Sequence, residues 1–566
     1  MKIDWDVPIR MDDGLVLRAD VYRPHGEGRH PVILSYGPYG KGLAFQEGYK
    51  TAWDLMAREH PDALAGSSNR YQNWEVVDPE KWVADGYACA RVDSRGAGRS
   101  PGYLCHNNAR ETRDICQCVE WAAAQPWSSG KVGMNGISYY ASNQWRAAAA
   151  RPPHLAAICV WEGWNDPYRE SARHGGIICS FRKNWQDMQV KTVQHGVGER
   201  GKRNPNTGAL VCGPETLSEA ELARNREDMW QSFLSRELID DYYRERTADL
   251  SKITVPLLSA ANWGGQGLHA RGNFEGFVRA ASAQKWLEVH GGSHWAPFYT
   301  DYGVGLQKRF FDFFLKGKPN GWDRQPRVQL NVRHPGEQFV MRHENEWPIA
   351  RTQWTRFYLH AQTHSLSTAP AASPKTLSYD ALGDGVTFSM VAEEQTEITG
   401  PSALKLFVSC ETNDADFFVV LRVFEPSGRE VLFQGALDPK TPVGQGWLRA
   451  SHRKLDPQLS LPCRPYHTHD ELQKLAPGQP VELDIEIWPT SIVVPKGWKI
   501  ALSIRGRDYE HDDAPATLSN MKNPMKGCGP FTHDDETDRP PAVFGGRVTL
   551  HFDRNPYLLL PVIPAT

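Results

Sequence analysis

The stretch Lys131–Trp145, KVGMNGISYYASNQW, decides how the chain is read. Lys131–Asn135 is a short run that can pair as a strand, and Gly136-Ile137-Ser138-Tyr139 is a tight turn. Tyr140–Ala150 is alanine-rich with Gln and Arg, a helix, and Arg151-Pro152-Pro153 stops it because the residue before a proline is pushed out of the helical region. Strand, sharp turn with a serine at its apex, helix: this is the order of a nucleophile elbow. Such a turn lifts Ser138 Oγ above the sheet edge. It also sets the free N–H groups and positive dipole end of the helix where an oxyanion forms. A G-x-S alone more often marks a turn serine or a helix cap. The elbow's usual fifth glycine is also replaced here by Tyr140, so the flanking chain has to supply the partners.

Working outward, Val7–Tyr22 reads as two strands around the Asp-Gly turn Met11–Gly14. Pro31–Ser35 is a buried strand ending in the loop Tyr36-Gly37-Pro38-Tyr39-Gly40-Lys41, at the edge where open α/β sheets hold ligands. Lys41 to about Pro79 is a polar, aromatic insertion, helical in part. Tyr87–Asp93 is the next strand. The glycine-rich Ser94–Ser100 after it lacks the lysine and spacing of a P-loop and reads as a structural turn. Asn107–Ala124 has Ile115, Val119 and Ala122 at helical spacing, and Leu155–Trp161 is again a buried strand. This alternation implies a parallel sheet covered on both faces. From Asn165 to about Leu250 the strand pattern disappears, and Ser218 with Glu221 offers a capping box; the segment reads as a helical cap. Strands return at Ile253–Ala261 and Lys285–His290, followed by an aromatic helix, Gln307–Leu315. Beyond Gly321 the pattern alternates, with strands expected at Val328–Arg333, Arg356–His360, Ala403–Ser409, Phe417–Phe424, Val481–Trp488, Lys499–Arg505 and Arg547–Phe552. A helix is expected only at His469–Leu475, and the one low-complexity tract is Ala369–Pro374. The expected architecture is an α/β-hydrolase core (1–164 and 251–320) with a helical cap (165–250), plus a C-terminal all-β jelly-roll sandwich (321–566).

The 566 residues allow several domains, and the formal net charge of −3 argues against a nucleic-acid partner. No apolar run approaches the ~20 residues of a membrane span. The N-terminus lacks the regions of a signal peptide, and ten scattered cysteines fit reduced thiols in a cytoplasmic protein. Cys116 and Cys118 do not face each other on a helix, which argues against a metal site there. No cofactor is implied, and homo-oligomerisation is left open.

With these pieces in place, the sequence resembles the cocaine esterase-like serine hydrolases, the group that includes X-prolyl dipeptidyl peptidases and α-amino acid ester hydrolases. The resemblance spans nearly the whole chain and rests on several motifs in order. They are MDDGLVLRADVYRP near the start, GPYGK (37–41), VDSRGAGRSPG (92–102), the W-x-x-G-K-V-G-M-x-G-I-S-Y block (127–139), GGSH (291–294) and RFFDFFLKG (309–317). It implies the same three-part architecture. It also implies Ser138 as nucleophile, within a family pattern G-x-S-Y that accommodates Tyr140, and His294 as general base. Tyr39 and the backbone N–H of Tyr139 would be the oxyanion donors.

The chain departs from that family at the triad acid. The family's W-x-D loop here reads Asn262-Trp263-Gly264-Gly265-Gln266-Gly267, with Gly265 in the acid's place. A carboxylate must reach His294 from elsewhere. Glu162, directly after the strand that follows the elbow, is the expected relocated acid, the alternative being a pocket carboxylate held by Arg169. Glu275 is expected on a helix face, Asp301 on a segment leading away, and Asp93 on the far side of the elbow. The expected activity is cleavage of a small-molecule ester or amide through an acyl-enzyme on Ser138. An acyltransferase using the same acyl-serine, or a catalytically impaired binding protein, are the alternatives.

Overall fold

The structure is a computed structural model and describes residues 1–370 and 375–564, so most of the Ala369–Pro374 tract lies outside the described residues. One ten-stranded sheet carries the first half of the chain. Its strands are β1 (Lys2–Arg10), β2 (Val16–Arg23), β3 (His30–Gly37), β4 (Ala88–Asp93), β5 (Ser128–Ile137), β6 (Leu155–Trp161), β7 (Leu257–Asn262), β8 (Lys285–His290), β9 (Val328–His334) and β10 (Gln338–Glu344). They lie in the order β1-β2-β4-β3-β5-β6-β7-β8-β9-β10, parallel from β4 through β9 and antiparallel at both ends.

Side chains of a strand point alternately to opposite faces, and β6 shows the consequence. Ile158 and Val160 join the apolar cluster beneath α1 (Ala109–Ala123) and α2 (Tyr139–Ala150). Ala157, Cys159 and Trp161 face the opposite cluster, with Phe310 and Phe311 of α4 (Asp301–Lys316), which follows α3 (Ala270–Arg279) in the chain. Both faces are covered, which is why β6 reads as an unbroken apolar run. Gly133 of β5 lets α4 close in, since a Cβ there would stand 2.6 Å from the Phe311 ring.

Register brings the carboxyl ends of four strands to one edge. Ile137 pairs with Trp161, Trp161 with Ala260, and Asn262 with His290. Ser138, Glu162 and the loops after Asn262 and His290 therefore leave the sheet side by side. Residues 165–250 hold short helices, among them Phe181–Trp185, Glu219–Arg224, Met229–Leu234 and Asp241–Arg246, and one small antiparallel pair, Arg173–His174 with Ile177–Ile178; the Ser218–Glu221 capping box forms. All ten cysteines are free thiols.

The second half is an eleven-stranded β-sandwich. Tyr557–Ile563 pairs with both Gln353–His360 and Thr396–Cys410, which closes the sheet around an apolar core that includes Phe388, Phe417, Leu483 and Ile504.

Two expectations are corrected. Val328–Arg333 is expected in the sandwich, but β9 pairs in parallel with β8 (Leu287 with Val328) and continues by a hairpin into β10, so these two strands extend the first sheet to Glu344. β9 lies between β8 and the edge strand β10, and its residues alternate between the two faces of the sheet as those of a sandwich strand would. His469–Leu475 forms no helix; Leu475 instead donates its backbone N–H to Asn413 O.

Candidate active site

Ser138 sits at φ 58°, ψ −109°, between β5 and α2. A non-glycine residue held there costs about 1–3 kcal/mol, and the neighbouring backbone holds it. Ser138 N–H donates to the carbonyls of Trp161 (3.1 Å) and Glu162 (3.2 Å), and Ile137 N–H donates to Glu75 O (2.9 Å). The missing fifth glycine has a steric account. Room for Tyr140 is made at Gly37 and Gly136, where a Cβ would lie 2.5 Å from the tyrosine in each case.

The groups around Ser138 form two linked sets. Ser138 Oγ is 2.9 Å from His269 Nε2. Beside it the His294 ring stacks on His269, with centroids 4.6 Å apart and planes 9° from parallel. Glu162 Oε2 is 2.7 Å from His294 Nδ1, and Glu75 Oε1 is 2.8 Å from His294 Nε2. Glu162 Oε1 is 2.8 Å from His290 Nε2 and accepts from Asn262 Nδ2 at 3.2 Å; His290 Nδ1 in turn meets Glu288 Oε2 at 2.7 Å. Glu75, Ser138 and Glu162 all hold positive φ (65°, 58° and 52°). Three of the eleven non-glycine residues with positive φ among the described residues thus meet here, as is usual of sites over-determined by their surroundings.

Burial opposes charge on Glu162, but the charge on His294 and the hydrogen bonds from both histidines outweigh it, and its pKa falls to about 2. Burial likewise opposes charge on His294. The Glu162 carboxylate, with the bonds to Glu162 and Glu75, prevails and raises it to about 10. His290 is raised to about 9, burial being outweighed by Glu288 and Glu162. For Glu75 burial wins over its bond to His294, and its pKa rises to about 7. His269 is pushed well below its ordinary value, first by burial and then by the positive charges of His294 and Arg182. At neutral pH the site therefore holds a neutral His269 beside a charged His294–Glu162 pair.

Two donors face the same cavity. Tyr139 opens α2, where a backbone N–H has no intrahelical acceptor. Tyr39 Oη accepts from Trp185 Nε1 at 3.0 Å. Indole nitrogen only donates, so the Tyr39 hydroxyl keeps its own proton to give. Ser138, His269, His294, Glu75, Tyr39 and Tyr139 all line one cavity, walled further by aromatic side chains.

The remaining acids lie elsewhere. Glu275 is on α3 and is clasped by Arg464. Asp301 opens α4, its N–H on Asp62. Asp93 accepts the backbone N–H groups of Lys41 (2.6 Å) and Arg99 (2.9 Å), and Gly98 presses against its carboxylate, so the glycine-rich turn is structural. Arg169 pairs with Asp166, not with Glu162. A side chain at Gly265 would begin 3.1 Å from Asn262 O, which leaves an acid there little space.

One expected link is absent: His294 makes no hydrogen bond to Ser138. Its Nε2 is taken by Glu75, and His269 occupies the serine. Sequence reasoning missed His269, Glu75 and His290. His269 ends the loop in which the family acid was sought, and a polar residue at that edge was a usable signal. Glu75 lies in the long insertion after β3, where no local pattern marks it.

His269, His294 and Glu162 offer ligand atoms within 4.8 Å of one another. Lone pairs of imidazoles lie in the ring plane, and two nearly parallel planes do not converge on one ion ~2.0–2.1 Å from both. Both nitrogens of His294 are also already on carboxylates. A second cluster, His174, Cys179 and His533, is occupied by its own hydrogen bond, 2.7 Å between the two histidines.

Residues 13–296 match the X-Pro dipeptidyl-peptidase (S15) family, and residues 320–524 match the X-Pro dipeptidyl-peptidase C-terminal non-catalytic domain. The chain belongs to the S15 family. It is a serine hydrolase of that family, similar over nearly its full length to a CocE/NonD family hydrolase from Staphylococcus aureus. The identity is 30%, the TM-score 0.85, and the match covers 99% of this chain and 93% of that one. A putative serine esterase of Mycobacterium bovis is 26% identical over 89% of this chain and 90% of its own length. The cocaine esterase of Rhodococcus sp. is 25% identical over 75% and 81% respectively. An α-amino acid ester hydrolase, 15% identical with a TM-score of 0.67, shares the fold. No helix of this S15-family chain among the described residues is long and apolar enough to cross a membrane.

Proposed function

We propose that the chain cleaves an ester or amide bond through an acyl-enzyme on Ser138. The observation that carries this reading is a serine on a strained elbow, 2.9 Å from an imidazole nitrogen, facing the same cavity as two free donors. A serine hydroxyl becomes an effective nucleophile when an imidazole takes its proton. In this reading His294 first passes its Nε2 proton to Glu75, whose pKa of about 7 suits it to take one, and then acts as general base while Glu162 holds its Nδ1 proton. Ser138 turns from His269 to His294 on substrate entry, and Glu75 gives up His294 Nε2 as it does so. Tyr39 Oη and Tyr139 N–H receive the oxyanion, and segment 165–250 caps the site. His269 is the second reading for the base, favoured by its hydrogen bond to Ser138. Its unpartnered Nδ1 weighs against it, since a base needs a third group to orient it, as Glu162 orients His294.

Among the relatives' activities, dipeptidyl-peptidase action requires an anchor for a free amino terminus. Glu75, the carboxylate that lines this cavity, is already held by His294. That favours the esterase side of the family. Transfer of the same acyl group to an alcohol or amine is the alternative outcome, separated by product analysis with and without an added nucleophile. The test is labelling of Ser138 by a fluorophosphonate, with Ser138→Ala losing at least ~10³-fold in ester turnover while keeping its folded circular dichroism spectrum. A Ser138→Ala protein with a tenth of wild-type activity refutes the reading.

A further inference from the structure

The cavity that holds Ser138 also holds a buried cation with no counter-ion. Arg182, on the short helix Phe181–Trp185, is 4% exposed and lines that cavity. Its Nε donates to Ser171 Oγ at 2.6 Å. Its two terminal nitrogens make no hydrogen bond, and among the described residues no carboxylate lies within ion-pair distance of it. Most other deeply buried arginines are answered, although Arg146 meets Glu111 only at 3.5 Å and leaves its Nε and Nη1 unpartnered. Arg173 pairs with Asp538 at 2.7 Å, Arg271 with Glu170 at 2.8 Å and Glu486 at 2.9 Å, and Arg449 with Asp416 at 2.8 Å. Arg333 has none of these but places its guanidinium on the carbonyls of Ser491 and Val443.

A buried unpaired charge is costly. Aromatic faces offset part of that cost: the guanidinium lies 4.6 Å from the Trp185 ring centroid and 5.4 Å from that of Trp164. They leave the guanidinium edge, with its terminal N–H donors, unmatched. Two amides share the wall. Asn520 is 4% exposed with neither side-chain atom hydrogen-bonded, and Gln189 makes no side-chain hydrogen bond. A fork of guanidinium donors flanked by idle amides is the complement of a planar anion, above all a carboxylate.

Resting on the hydrolase reading above, we propose that the substrate carries a carboxylate besides the bond that is cleaved, and that Arg182 binds it, assisted by Asn520. The substrate class is then the half-esters or half-amides of dicarboxylic acids, or esters of carboxylated alcohols. The reaction needs no further reactant: water adds to the acyl carbon, the bond to the leaving oxygen or nitrogen breaks, and the distal carboxylate is unchanged.

The test compares matched pairs. On the acyl side these are the mono-p-nitrophenyl ester of glutaric acid and p-nitrophenyl valerate. On the leaving-group side they are 4-carboxyphenyl and 4-carbamoylphenyl butyrate. The wild type should favour the anionic member of one pair by about ten- to a hundredfold in kcat/KM, the range of a charged hydrogen-bonded contact. Arg182→Gln should collapse that ratio, chiefly through KM, and Arg182→Lys should keep part of it. Binding supplies an arm independent of turnover and of variant folding at position 182. Ser138→Ala protein, titrated calorimetrically with monomethyl glutarate and with methyl valerate, should bind the anion more tightly. Equal treatment of both pairs by the wild type together with equal binding, or a preference that survives Arg182→Gln, overturns the proposal. If Ser138 takes up the fluorophosphonate and neutral esters turn over without anion preference, this inference falls alone. If Ser138 is never labelled yet the anion binds through Arg182, the hydrolase reading falls and the anion site stands.

Discussion

Glu162→Gln is the most informative single change. The carboxylate is fully buried and accepts two short contacts from imidazole nitrogens, 2.7 Å from His294 and 2.8 Å from His290, plus a third from Asn262. Glutamine keeps the shape and one acceptor oxygen but turns the other oxygen into an NH₂ donor, so one imidazole must face a donor or flip its tautomer. Each charge-assisted bond is worth about 1.5–3 kcal/mol. Losing one and inverting a second costs about 3–5 kcal/mol of stabilisation of a charged His294. If that charged form lies on the reaction path, the loss appears in the barrier as about 10²–10⁴ in kcat, the size seen when a triad acid is made neutral. The assay is steady-state hydrolysis of a p-nitrophenyl ester, with the rate of fluorophosphonate labelling read in parallel, on Glu162→Gln, His294→Asn and His269→Asn proteins of verified fold. Glu162→Gln and His294→Asn should fall together, and His269→Asn should lose far less. A Glu162→Gln enzyme within tenfold of the wild type, or a His269→Asn enzyme worse than His294→Asn, refutes the assignment and makes His269 the base.

Tyr39→Phe removes one hydroxyl donor and should lower kcat about 10²–10³-fold; an effect on KM alone would make Tyr39 a wall of the cavity. His294 gives a pH prediction for stability. Its pKa rises on folding from 6.5 to about 10, so its contribution is complete below about pH 6.5 and is lost as pH climbs through about 10. Glu162 drops from 4.5 to about 2, so its share is present above about pH 4.5 and is lost as pH falls through about 2. Urea unfolding of wild type and His294→Gln across pH should then differ most near pH 5–6 and converge towards pH 10. A constant gap from pH 5 to pH 10 contradicts a charged His294.

Parallel strands covered on both faces advertise themselves as apolar runs, which is why Leu155–Trp161 and Lys285–His290 were read to the residue. The elbow was legible because strand, turn and helix propensities change within a dozen residues. Glu162 could be singled out because it immediately follows a strand of known direction. The division between the two sheets is less secure, and β9 shows why: its alternation suits a sandwich strand as well as a strand of the first sheet, and only the pairing of Val328 with Leu287 separates the two. Glu75 is illegible for another reason: it reaches His294 through the tertiary folding of a long insertion, and nothing in its local sequence encodes where that loop returns. The pairing of His294 with Glu75 rather than with Ser138 is a contact across 219 positions of chain, beyond any local pattern.

The cavity around Ser138 is walled partly by Leu437, Asn520 and Met521, which belong to loops of the β-sandwich. Ser138 with its histidines and part of the wall of their cavity are therefore encoded in separate halves of the chain. Substitutions at 437, 520 and 521 can drift, retuning which molecules are accepted, while the strained elbow and its histidines stay fixed. A library confined to those sandwich loops samples new selectivity without entering the charged network behind the serine. Removing the sandwich would leave the hydrolase half with an open, unshaped mouth.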